Sequence, residues 1–230
     1  MANAGFNAAT DIFGMGANWE VKSSDDNASG SVAECPNSNG DITHRDAYGQ
    51  RLAPSAEYVL VGDVTSLPAL GTVVTYAGKK IMLTQIVVNT AQGAAPTASV
   101  SGVEVESGAS TARTYSCGTI ALSARHRAQD ILSLHSTLPA TCTEASFTFA
   151  VDPSFADPKG SIEASDVHNG RVSASYTHTS GTGDTITPPT LSGTDAVVSE
   201  PVSKSSPEND YVNVTYSITD TLTGTDPSNG

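Results

Sequence analysis

Positive charge is scarce in this chain: 11 Lys and Arg stand against 24 Asp and Glu, a formal net charge of −13 over 230 residues. No basic field exists to attract phosphates, and the one basic cluster, Arg113, Arg125, His126 and Arg127, is too small to hold nucleic acid and reads as a solvated or interface face. Aromatic residues make up only 6% of the chain, with Trp19 the single Trp, which leaves little material for a carbohydrate-stacking surface; Trp19 reads as core. Cysteine is limited to Cys35, Cys117 and Cys142, an odd number at unrelated spacings without a C-x-x-C, which excludes a zinc site and a disulfide framework. Free, buried thiols are the expected state, and a Cys117 to Cys142 bridge would need an oxidising medium. Apolar runs of roughly 18 residues are absent, so no transmembrane helix is expected. The first twenty residues have neither the basic start nor the apolar stretch of a secretory signal, which predicts synthesis in the cytosol and no membrane partner.

The marks of catalysis are thin as well. His44-Arg45-Asp46 copies the opening of a protein-kinase catalytic loop, but Arg51 stands five residues after the Asp where that loop needs Asn, and no D-F-G follows. The segment from Cys35 to Asp46 imitates a calcium loop through Asn37, Asn39, Gly40 and Asp46, yet begins on Cys and has no flanking helical pattern. Neither a G-x-S-x-G elbow nor an H-E-x-x-H pair occurs. The sequons at Asn27 and Asn213 carry no meaning without a secretory signal. The expectation is a protein that is not an enzyme, with no cofactor and no metal.

What the chain does have is Ser and Thr, 56 of them, with 20 Gly and 12 Pro, a composition of strands and turns. Alternating segments predict strands at 56–62, 71–90 with Ala77-Gly78 as a turn, 97–107, 145–151, 170–179 and 211–219. An earlier hairpin is expected from "NWEVKSS" and "GSVAEC", turning at Asp25–Gly30. One helix is predicted over 121–136. Residues 1–17 read as an arm, 18–219 as one β-rich domain with a long loop at 180–210 holding short strands at 184–188 and 195–200, and 220–230 as a tail. In the arm, Phe6, Ile12 and Phe13 look like anchors for a neighbouring subunit.

Two stretches align at an offset of 120: Gly40, Ile42, Asp46, Arg51 and Ser55 match Gly160, Ile162, Asp166, Arg171 and Ser175. If the unit is duplicated, Ala164 and Ser165 replace His44 and Arg45 in the second copy, and the kinase-like triplet is then incidental to it. Asp46 and Asp166 are then best explained as turn residues whose carboxylates accept from local backbone N–H groups.

Four segments, "NAGFNAATDIFG", "KKIMLTQIVVNTAQGAAPTASVSGVEVESG", "SARHRAQDILS" and "DPKGSIEASDVHNGRVSASYTHTSG", together give the chain a resemblance to tail-tube and related virion structural proteins of long-tailed bacteriophages. That resemblance implies a β-barrel or sandwich with one flanking helix, built into stacked hexameric rings, with self and other virion proteins as partners. DNA would be a transient passenger through an acidic lumen. The candidate lumen acids are Asp41, Asp46, Glu104, Glu106, Glu163 and Asp166. Two other classes compete: a capsid decoration or tail terminator protein, and a carbohydrate-binding, adhesin-like sandwich.

Overall fold

The computed structural model describes residues 11–91, 93–105, 113–117, 119–123, 142–156, 164–181, 197–199, 204–205 and 211–225. These form a mainly β structure dominated by one antiparallel sheet. Its strands are β1 (Trp19–Pro36), β2 (Ile42–Leu60), β4 (Val73–Tyr76), β5 (Lys79–Ala91), β6 (Thr97–Val105), β9 (Cys142–Ala156), β10 (Ala164–Gly181), β11 (Val197–Ser199), β12 (Lys204–Ser205) and β13 (Tyr211–Thr221). The order across the sheet is β1-β2-β6-β5-β9-β10-β13-β11, with β4 on β5 and β12 on β13. Two small ribbons flank it: β3 (Asp63–Ser66) with β8 (Thr119–Ser123), and β7 (Thr114–Tyr115) with β14 (Gly224–Thr225).

Two-residue alternation divides the central strands into a core face and a polar face. Along one ladder row Tyr58, Ala98, Val88, Phe147 and Ala174 lie side by side across β2, β6, β5, β9 and β10, and all are buried. The next row repeats this with Ala56, Val100, Ile86, Phe149 and Val172. The opposite face presents hydroxyls and amides instead, as in the row Thr97, Asn89, Ser146 and Ser175. The abundance of Ser and Thr thus has a location, the face of the sheet turned from the core. Although β6 and β5 separate β2 from β9, the Arg51 guanidinium lies 4.0 Å from the centre of the Phe155 ring, so the sheet is strongly curled at that end.

Three expectations need correction. The chain does not turn at Asp25–Gly30: β1 runs straight through, its residues paired with Arg51 to Ser55, and the glycine there is absorbed in a register irregularity between Ser29 and Ser31. The turn comes at Asn37–Gly40, where the Asn37 side-chain oxygen accepts from the backbone N–H of Asn39 and of Asp41, both at 2.9 Å, and Gly40 takes φ of 87°. Next, the predicted helix at 121–136 begins inside β8, where Asp63 pairs Ser123 and Val64 pairs Leu122. Its remainder lies outside the described residues, among which there is no helix. The strand that takes the first three residues of the predicted helix begins in β-branched Thr119 and Ile120, which suit a strand.

The third correction concerns the arm. Ile12, Phe13 and Met15 are 4%, 2% and 7% exposed, packed into the chain's own core, so these side chains have no surface to offer a neighbouring subunit. Asp11 fixes the segment by accepting from the backbone N–H of Met15 and Gly16 and from the Tyr58 hydroxyl at 2.9 Å. Gly14 and Gly16, at φ of 69° and 90°, let so short a segment double back. Phe6 lies outside the described residues.

Other expectations are met. Ala77 and Gly78, with φ of 49° and 77°, make the tight turn between β4 and β5. Trp19 is buried. Of the aligned repeat, Asp46, Arg51 and Ser55 fall on β2 and Asp166, Arg171 and Ser175 on β10; Gly160 and Ile162 lie outside the described residues. Cys117 is not in a disulfide and is buried, whereas Cys35, also unbridged, is exposed, against the expectation that all thiols are interior. The described start of the C-terminal tail, up to Thr225, docks on the sheet: Leu222 N–H donates to Gly170 O at 2.8 Å, and β14 pairs with β7. Gly170 is required here because a side chain would run into the Tyr115 ring.

Candidate interaction surface

The long hairpin β1–β2 is the first feature the core does not account for. Strand β6 pairs with β2 only from Ser55 to Val59, so from Pro54 outward β1 is the one strand partner of β2 among the described residues. The root of this ribbon is tied down. Leu52 N–H donates to the Glu104 carboxylate at 2.8 Å, that carboxylate is held by Lys79 at 2.7 Å, and the Tyr76 hydroxyl donates to Asp26 at 3.1 Å. Beyond Ala28, eight residues of β1 continue to Pro36, about 26 Å at ~3.3 Å per residue.

An isolated two-stranded ribbon is marginally stable in water and normally leans on something. Along β1, Val32, Glu34 and Pro36 alternate onto one face, and the cross-strand partners of the last two are Arg45 and Ile42. Glu34 and Arg45 form an ion pair of 2.9 Å, while Val32 and Ile42 remain 61% and 45% exposed. Among the described residues only Val61 joins them as an exposed large hydrophobic. A strip of apolar, ionic and apolar groups on a protruding ribbon has the composition of an interface patch. The free edge of β1, by contrast, is guarded against strand addition: register irregularities fall at Val21/Ser23, Ser29/Ser31 and Cys35/Pro36, with Lys22 in the first. Docking by the ribbon's face is therefore favoured over pairing along its edge.

A second feature lies at the far end of the same sheet. A groove of about 340 Å³ is bounded by Asn89, Thr90, Ala91, Ala94, Glu144 and Thr177. Ser146 closes part of its rim by donating to the Asn89 side-chain oxygen at 2.7 Å. Thr90 is 7% exposed, and its hydroxyl has no hydrogen-bond partner within the described structure. Strand register fixes the relation between groove and ribbon: Val59 of β2 aligns with Thr97, Asn89 and Ser146, whereas the ribbon leaves beyond Ser55, which aligns with Ser101, Gln85 and Ala150. The two features thus sit at opposite poles along the strand direction.

The candidate lumen acids divide. Asp41 is exposed at the ribbon tip. Glu104 is committed to Lys79 and Leu52, with 18% of its side chain exposed. Asp166 is a residue of strand β10, paired with Ser154, and not of a turn as expected; its carboxylate accepts from the adjacent Val167 N–H at 2.8 Å and from the distant Arg113 N–H at 3.2 Å. Asp46 is a residue of β2, paired with Ala33. Glu106 and Glu163 lie outside the described residues. His44 and Arg45 are strand residues of the ribbon, which disposes of the kinase-like triplet, and the calcium-like loop is its turn, with Asn37 spent on backbone N–H groups. No group of three His, Cys, Asp or Glu among the described residues is placed to hold a metal ion, and no helix there is long and apolar enough to cross a membrane.

Sequence reasoning missed Val32, Ile42, Arg45 and Glu144. The signal for the first three was the uninterrupted pairing potential of 19–60, masked by a Gly-containing stretch that imitates a turn. No family model and no curated protein matches this chain.

Proposed function

We propose that this chain is a structural subunit that assembles with copies of itself. Following its sequence resemblance, the assembly is a stack of rings forming a phage tail tube, with the sheet curled into a barrel or sandwich and DNA passing through the bore. The observation that carries the self-association is the protruding β1–β2 ribbon with Val32 and Ile42 exposed on it. Leaving large apolar groups on a marginal two-stranded element is costly for a monomer and useful for a subunit. The docked N-terminal segment belongs to the folding of the subunit rather than to its contacts. Of the candidate acids whose side chains are described, Asp41 is the exposed one that we assign to the bore; Glu104 and Asp166 serve the subunit's own structure.

The test is sedimentation velocity and negative-stain microscopy of the purified chain. Rings or tubes of regular bore are expected, and Val32→Asp/Ile42→Asp should give a folded monomer. A wild-type chain that stays monomeric at high concentration sinks the proposal. Closed oligomers that never elongate would redirect it to a decoration or terminator protein.

A further inference from the structure

We propose that Asn39, at the tip of the β1–β2 ribbon, is a site of spontaneous covalent modification: its carboxamide converts to a mixture of aspartate and isoaspartate through attack by the backbone nitrogen of Gly40. This chemistry belongs to the single subunit and is independent of self-assembly.

Water is the one co-reactant. The Gly40 N–H gives up its proton, and the nitrogen attacks the side-chain carbonyl carbon of Asn39. A C–N bond forms, the bond from that carbon to the amide nitrogen breaks, and ammonia leaves with the proton. The product is a five-membered succinimide, which water opens at either carbonyl. One opening leaves an ordinary peptide bond and a side-chain carboxylate; the other routes the backbone through the side chain. Nothing is oxidised or reduced. The attack needs a carboxamide that is not held elsewhere, a following residue with no side chain to shield its nitrogen, which only glycine supplies, and a backbone able to bring the two together.

Asn-Gly occurs at Asn39-Gly40, Asn169-Gly170 and Asn229-Gly230, the last outside the described residues. The two described sites differ in every respect that matters. At the ribbon tip Asn39 and Gly40 are both exposed, a side chain added at Gly40 would meet nothing, and the Asn39 carboxamide has no hydrogen-bond partner among the described residues. Asn37 holds the turn instead, accepting from the N–H of Asn39 and Asp41 and donating to the Asp41 carboxylate at 3.3 Å. The bond that attack must break runs from Gly40 N–H to Asn37 O at 3.0 Å, and it secures an exposed turn rather than a core. At the second site the Asn169 amide donates to Asp152 at 3.2 Å, and the Asn169 carbonyl accepts from Arg171 at 3.5 Å. Gly170 is buried against the Tyr115 ring, with its carbonyl accepting from Leu222. Closing a five-membered ring there requires the sheet to open locally. One dipeptide is thus exposed by the fold and the other locked. Conversion at Asn39 adds a negative charge two positions from Asp41, at the ribbon's extremity.

The experiment incubates the full-length chain in mildly alkaline buffer, with and without urea. The Val32→Asp/Ile42→Asp chain is treated in parallel, so that no assembly covers the tip. Peptide sequencing by mass spectrometry reads the gain of one mass unit at each asparagine, and an isoaspartyl methyltransferase assay reads the rearranged backbone. In native buffer Asn39 should convert while Asn169 stays intact. Urea should raise the Asn169 rate at least roughly tenfold and leave the Asn39 rate within about threefold of its native value. Asn39→Gln, whose longer side chain would need a six-membered ring, should abolish the signal at position 39. An Asn39 that stays intact in both native chains overturns the proposal, whether or not it converts in urea. Equal native rates at Asn39 and Asn169 would overturn the selection by the fold.

Discussion

At the scale of single residues, the groups with chemical potential are mostly spent on the fold. Cys117 is buried with its sulfur donating to Pro68 O at 3.5 Å, and burial pushes its thiol up to about 12. The native thiol therefore stays neutral at pH values where the unfolded chain's would ionise, near 9. A raised folded-state pKa means that the stabilisation is complete below the unfolded value and is lost as pH climbs through the window up to the folded one. Stability should accordingly fall between about pH 9 and 12, and urea midpoints should show a shallower fall for Cys117→Ala. Equal slopes would mean the thiol does not ionise on unfolding. Tyr58 acts in the same direction at higher pH, because burial and then the Asp11 carboxylate hold its hydroxyl neutral well above the ordinary range. Asp166 was only half legible: its carboxylate does accept from the neighbouring Val167 N–H, but it lies in strand β10 and not in a turn, and it also accepts from Arg113 N–H fifty-three positions away. Glu104 was not legible at all, since its partner Leu52 lies fifty-two positions away and only the meeting of β2 and β6 brings them together.

Individual elements were legible where a pattern was both local and strong. The β4–β5 hairpin could be placed from Ala77-Gly78 because a two-residue turn with positive φ admits few sequences. The β1–β2 hairpin could not, since Asp25–Gly30 is as turn-like as the true turn at Asn37–Gly40; what decides is the pairing of Asp25 with Ser55, invisible along the chain. The N-terminal segment misled for a related reason. Three apolar residues interrupted by Gly14 fit neither period, although all three are buried. Burial of each contributes about 1.5 to 3 kcal/mol, so deleting residues 1–16 should remove roughly 5 kcal/mol or more, comparable with the whole stability of a marginal domain. Thermal melting should show a greatly lowered transition or none. A truncated chain that melts like the full one would show that the segment only covers the core without stabilising it.

For the molecule as a whole, the mainly β class followed from composition, because a chain rich in Ser, Thr and β-branched residues has little else to form. The placement of the ribbon and the groove at opposite ends of the strands did not, since it depends on register across four strands. Strand β1 carries the chain's only indole at one end, in Trp19, and the thiol of Cys35 close to the other, sixteen residues or about 53 Å apart. Trp19 pairs with Leu60, whose N–H donates to Pro96 O at 2.9 Å, the residue after the groove-lining Ala95. An energy acceptor attached to Cys35 would therefore be distant from its own Trp19, and only a subunit contact that brings the ribbon of one copy to the Trp19 end of another closes that distance. Indole emission should be unquenched in dilute labelled monomer and quenched as subunits join. The same strand then serves as an optical gauge that separates joining from unfolding, since unfolding would shift the emission colour and joining would only dim it.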